Sequence, residues 1–190
     1  MKKILAIVLA LVVVVAAFAA CGGEKTPDAS STSSYVDATE VLTTVFAAYA
    51  EDNKFPVAGG DEANMSFEAP AKYDYTLTDE LNAVAKFPVA EAANIADAAT
   101  AMHAMNANSF TGAAYKLVDG AVAAAFAEAF KAELDNARWM CGFPEKFVVI
   151  KTGNFIVTAY GVADIMEYFK TTATATLEGA EVVLEGDIAG

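Results

Sequence analysis

The residues that could act as nucleophiles or metal ligands are few in this chain. It has one histidine, His103, and two cysteines, Cys21 and Cys141. A zinc site needs clustered Cys, His or carboxylate ligands, and a catalytic thiol needs a cationic or basic neighbour. Cys141 lies in the apolar stretch RWMCGFPEKF, which favours a buried, slow-reacting thiol. The sequence therefore predicts no catalytic, metal or cofactor site on these residues.

Glu133 is the carboxylate with the most unusual position. The longest predicted helix starts near Asp119 and has one apolar stripe, formed by Val122, Phe126, Phe130, Leu134 and Ala137. Glu133 falls almost in line with Phe126 on this apolar side. A carboxylate so placed is either paired or a candidate general acid, although glycoside hydrolysis needs a second carboxylate. The alternative is an acid near the helix end that reaches past a thin part of the core.

Two tyrosines suggest a binding surface. Tyr73 and Tyr75 alternate in KYDYTL, so both rings would lie on one face of a strand. Such a pair could stack on a sugar or a peptide, or it could simply cover the sheet. The acids of the C-terminal tail could hold a weakly bound divalent ion, but a solvated tail is the commoner structure for Glu178, Glu181, Glu185 and Asp187.

Cys21 has a different chemistry because of the residues that precede it. Lys2 and Lys3 open the chain, and residues 4–20 carry no charged or polar side chain. A positive start followed by an apolar run that ends in small residues predicts a secretory signal over residues 1–20. An uncleaved membrane helix is the alternative, because the run is at the lower limit of the length that spans a bilayer.

The junction FAAC, residues 18–21, resembles the lipobox of bacterial lipoproteins. In that family small residues precede a cysteine that receives a diacylglyceryl group and becomes the first residue of the mature chain. The resemblance implies lipidation of Cys21 and attachment to the outer face of the cell membrane. One acyl chain holds a protein only marginally, whereas two or three hold it stably.

The chain after Cys21 is predicted to form a tether and then a domain. Residues 21–35 are rich in Gly, Ser and Thr, which predicts a flexible tether, and residues 36–190 are expected to form a single domain. The formal net charge of the chain is −13. An acidic surface repels phosphate groups, so the expected partners are the membrane through its lipid, an envelope protein or a small ligand, and not nucleic acid.

Helices are predicted over residues 37–52 and 76–86, the first of them capped by Asp37. Both are followed by the letters KFPVA, at residues 54–58 and 86–90. We interpret the two copies as similar helix stops, in which proline ends the helix and the phenylalanine packs back.

The second half of the chain predicts the order ββαββα. Its strands are AATAMHAMNA, GAAYKLV and the hairpin of EKFVVI with FIVTAY, which turns at Gly153 and Asn154. Residues 171–190 predict an acidic tail or an extra hairpin. The expected fold is α+β, in which an antiparallel sheet of about four strands has helices packed on one face and follows two N-terminal helices.

The same half of the chain resembles a family of small uncharacterised lipoproteins of clostridial-type Gram-positive bacteria. The resemblance rests on AAYKLVD, the long helix, KTGNFIVTAYG and ADIMEYF, and Gly153, Asn154 and Phe155 match the hairpin of that family. It implies structural residues and no catalytic ones.

The sequence favours a non-catalytic binding or accessory module. The alternatives are a cell-envelope hydrolase that uses carboxylates and a small solute-binding lipoprotein. An exposed apolar or aromatic patch would favour the binding module, and a cleft with two acids would favour the hydrolase.

Overall fold

A single antiparallel sheet is the framework of the fold. The computed structural model describes residues 34–140 and 142–189, and seven strands pair within them. The strands are β1 (Val57–Ala58), β2 (Ala71–Tyr73), β3 (Ile95–His103), β4 (Phe110–Leu117), β5 (Lys146–Thr152), β6 (Phe155–Gly161) and β7 (Glu181–Asp187). Their order is β1-β3-β4-β6-β5-β7, and β2 pairs with β3 beside β1.

The α+β class is confirmed, but the expected count of about four strands is wrong. The predicted four correspond to β3, β4, β5 and β6, and three more strands extend the sheet at its two edges. β1 and β2 are two and three residues long, too short for an alternating pattern to be recognised. β7 lies within residues 171–190, for which the sequence predicts an acidic tail or an extra hairpin, and it pairs with β5.

Four α-helices lie within the described ranges, and they are α1 (Ala38–Ala47), α2 (Thr78–Ala85), α3 (Ala123–Asp135) and α4 (Ala163–Thr176). Asp37 caps α1 as predicted, because its Oδ1 accepts a hydrogen bond of 2.8 Å from the Glu40 N–H. The prediction that two helices precede the sheet is wrong, since β1 and β2 lie between α1 and α2 in the chain.

The helices cover both faces of the sheet. On one face, α1 and α4 form a first core with the strands, which includes Leu42, Val45, Phe110, Val157 and Phe169. On the other face, α2 and α3 form a second core, which includes Leu81, Tyr115, Phe126, Phe130 and Ile156.

The expectation of helices on one face is therefore wrong, and the central strands give the reason. Every residue of β6 is buried, and so is every residue of β4 except Lys116. Adjacent residues of a strand point to opposite faces, so an uninterrupted buried run needs cover on both sides.

The hairpin of β5 and β6 is confirmed, with Thr152 paired to Phe155 across a two-residue turn. Gly153 has a φ of 56°. Asn154 has a negative φ, since Lys86 is the only non-glycine residue with a positive φ in the described ranges. Positive φ at the first turn residue alone is the pattern of a type II′ turn. The tail forms no hairpin of its own: α4 continues to Thr176, and β7 pairs with β5.

The antiparallel register gives the sheet two distinct ends. The upper end holds His103, Phe110, Lys146, Gly161 and Asp187, and the lower end holds Ile95, Leu117, Thr152, Phe155 and Glu181. The described chain begins at the lower end. The Tyr35 ring lies edge-on to Phe155 with centroids 6.5 Å apart, and the Ser34 hydroxyl donates to Glu178 Oε2 at 2.8 Å. The last two residues of the predicted 21–35 tether thus contact the fold.

Candidate functional site

Two clefts open at the upper end of the sheet, on either side of the first turns of α4. The aromatic cleft has a volume of about 240 Å³, and its lining includes Tyr49, Asp52, Lys54, Phe55, Asp164 and Tyr168. The charged groove has a volume of about 350 Å³, and its lining includes Lys146, Phe147, Glu167, Lys170, Glu185 and Asp187.

Three segments of the chain build the wall of the aromatic cleft. Tyr49 follows α1, Phe55 follows the 3-10 helix Glu51–Asn53, and Tyr168 lies on α4. The ring centroids of Tyr49 and Tyr168 are 4.9 Å apart with an interplanar angle of 88°, and those of Tyr49 and Phe55 are 6.1 Å apart. Edge-to-face contacts of this kind are favourable and fix the orientation of the rings.

Phe55 is supported from outside the cleft by His103. The two rings stack with centroids 5.1 Å apart and an interplanar angle of 9°. The His103 Nδ1 accepts a hydrogen bond of 3.2 Å from the Met105 N–H, which orients the imidazole. The one histidine of the chain therefore holds an aromatic ring of the cleft in place.

The hydroxyl groups of the cleft differ in their partners. Tyr49 is 5% exposed, and among the described residues its hydroxyl has no hydrogen-bond partner. Burial, with a further contribution from Tyr168, raises the pKa of Tyr49 well above its usual range, so the hydroxyl stays protonated. The Tyr168 hydroxyl accepts a hydrogen bond of 3.1 Å from the Ala50 N–H and retains its own hydrogen to donate.

The charged groove is neutralised by its own side chains. Lys146 Nζ lies 2.8 Å from Asp187 Oδ1, and Lys170 Nζ lies 3.0 Å from Glu167 Oε2 and 3.1 Å from Glu185 Oε2. The hydrogen bond and the charge of Asp187 raise the pKa of Lys146, and hydrogen bonds to Glu167 and Glu185 raise that of Lys170. A charged ligand would have to compete with these ion pairs, so the aromatic cleft is the better candidate site.

The two predicted platform tyrosines do not form an exposed surface. β2 ends at Tyr73, so Tyr75 is outside the strand and the assumed alternation does not apply. Tyr73 is 3% exposed in the second core, and Tyr75 is partly buried against the same core. A ring with so little exposed surface cannot stack on a sugar, and Tyr73 is a packing residue.

Glu133 joins two helices on the second face of the sheet. It is half-buried, and its Oε2 accepts a hydrogen bond of 3.0 Å from Asn82 Nδ2 of α2. The same amide nitrogen donates to the Phe87 carbonyl at 2.7 Å. Glu133 thus belongs to a polar link between α2 and α3, on the face of the sheet opposite the aromatic cleft.

Replacing Glu133 with Gln is expected to change the free energy of unfolding by less than about 1 kcal/mol, because an amide oxygen can still accept the Asn82 hydrogen bond. Urea denaturation of the wild type and the variant measures the difference. Glu128→Gln is the matched control, since Glu128 is exposed on the same helix. A loss for Glu133→Gln that exceeds the control by more than about 2 kcal/mol would show that the ionised carboxylate itself is required.

The acids of the tail do not form one cluster, because they lie at both ends of the sheet. Glu178 accepts from Ser34 at the lower end, whereas Glu185 and Asp187 pair with lysines of the charged groove. Across the described part of the chain, no three His, Cys, Asp or Glu side chains come together in a way that could hold a metal ion.

Both cysteines lie outside the described residues, and so do the predicted signal and most of the tether. The residues beside Cys141 are not uniformly buried, because Met140 is 79% and Phe143 is 64% exposed. Trp139 is partly buried against the second core, with its ring 5.3 Å from that of Tyr160. Within residues 34–140 and 142–189, no helix has the length and apolar character needed to cross a membrane.

Comparison of the chain with protein-family models, curated proteins and solved structures gives no match.

Sequence reasoning did not single out the residues of the aromatic cleft. Tyr49 belongs to the apolar stripe of the first predicted helix, and Tyr168 belongs to the last one. The first KFPVA segment was a usable signal, because its phenylalanine is expected to pack back onto the preceding helix. Phe55 does so, with its ring 5.8 Å from that of Phe46 in α1.

Proposed function

We propose that this chain is a lipoprotein anchored through Cys21 to the outer face of the bacterial cell membrane, where its domain acts as a non-catalytic binding module. The signal-like residues 1–20 and the FAAC junction support the anchor. The partner would be a small ligand or an envelope protein, since the acidic chain repels nucleic acid.

This proposal is supported by the positions of the first described residues, Ser34 and Tyr35, and of the two clefts. Ser34 and Tyr35 contact the lower end of the sheet, whereas the aromatic cleft and the charged groove open at the upper end. A strand of seven residues separates the two ends by roughly 20 Å. The proposed tether therefore meets the fold at the end of the sheet opposite to both clefts.

The placement of Glu133 counts against its use as a general acid, and the burial of Tyr73 counts against its use as a ligand platform. Glu133 is hydrogen-bonded within a link between helices, and Tyr73 is buried. Neither of them reaches the aromatic cleft or the charged groove.

A cell-envelope hydrolase is the second candidate, because two carboxylates, Asp52 and Asp164, line the aromatic cleft. Hydrolases of glycosidic bonds use such a pair as acid and as base or nucleophile. Turnover of peptidoglycan or polysaccharide that is lost in both Asp52→Asn and Asp164→Asn would establish this alternative.

The binding proposal is tested by site-specific photo-crosslinking of the full chain in cell membranes. A benzophenone amino acid replaces Lys54, which lines the aromatic cleft, or Glu181, which is exposed at the lower end and serves as the control. We expect a discrete adduct with an envelope component from position 54 only. Equal adducts from both positions, or none from position 54, would contradict a binding site at the upper end.

A further inference from the structure

We draw no further inference here: the strongest candidate, the exposed apolar surface of Met105, Met140 and Phe143 in the loops at the upper end of the sheet, is unpartnered, and nothing in the described part of the chain shows what covers it.

Discussion

Replacing Cys21 with Ala is expected to abolish lipid attachment of the chain. The precursor would stay uncleaved, incorporation of radioactive palmitate would fall to background, and retention of the chain in the membrane would change. Alanine has no sulfur to form the proposed thioether, so no acyl chain is attached. The membrane affinity of those chains, about 0.8 kcal/mol for each buried methylene, is then lost as well. Labelling of cells followed by electrophoresis measures cleavage and incorporation together.

The second cysteine provides the matched control for this experiment. Cys141→Ala removes a thiol without touching the FAAC junction, so it should be cleaved and labelled like the wild type. Palmitate incorporation that persists in Cys21→Ala would reject lipidation at this residue. Incorporation that is lost in Cys141→Ala instead would move the attachment to the other cysteine.

Replacing Asp61 with Ala is expected to destabilise the fold by about 3 kcal/mol, because it removes a buried carboxylate that accepts several hydrogen bonds at once. Asp61 is 5% exposed. Its carboxylate accepts hydrogen bonds from the backbone N–H groups of Ala63, Asn64 and Asp74 at 2.8, 2.9 and 2.6 Å, and from the Asn64 amide. These bonds hold the segment between β1 and β2. Both of these strands pair with β3, on its edge away from β4.

The contribution of Asp61 to the free energy of unfolding is expected to depend on pH. Burial alone would raise its pKa, but the hydrogen bonds from Asp74, Asn64 and Ala63 outweigh burial and hold the pKa below its ordinary value. A carboxyl group with a lowered pKa in the folded state stabilises the protein above its unfolded pKa of about 3.9. That contribution is lost as the pH falls through the folded value, because the unfolded state then binds the proton more readily.

Urea denaturation between pH 3 and pH 7 tests this expectation, for which Glu62→Ala is the control because Glu62 is exposed beside Asp61. The difference in unfolding free energy between the wild type and Asp61→Ala should be largest near neutral pH and should narrow below about pH 4. A difference that is constant with pH, or no larger than that of Glu62→Ala, would mean that the charged hydrogen bonds of Asp61 do not stabilise the fold.

Local sequence patterns were sufficient for the elements that depend on neighbours in the chain. The helix cap at Asp37, the apolar stripe of α3 through Phe126 and Phe130, and the turn at Gly153 all agree with the structure. Each is fixed by contacts within a few residues, such as a side chain that accepts from an N–H three positions away. Patterns of this kind can be seen in the letters themselves.

The KFPVA segments show where such patterns stop being informative. The second copy directly follows α2, as predicted, but the first does not end α1, which already stops at Ala47 and is separated from it by the 3-10 helix Glu51–Asn53. Phe55 packs in the first core region beside Phe46, whereas Phe87 is fully buried in the second core with its ring 5.2 Å from that of Tyr115. Identical letters thus lie on opposite faces of the sheet, because the face is chosen by the path of the chain between the two copies.

By itself, the sequence determined the α+β class, the order of the central strands and helices, and the scarcity of residues for nucleophilic or metal chemistry. Only the tertiary structure decided that helices cover both faces, that Glu133 joins α2 to α3, and that Tyr49, Phe55 and Tyr168 share a cleft with Asp52 and Asp164. Periodicity reports which side of an element is apolar, but not which distant element covers it. The cleft depends on such a long-range contact, since α4 must return across the sheet to bring Tyr168 against the residues that follow α1.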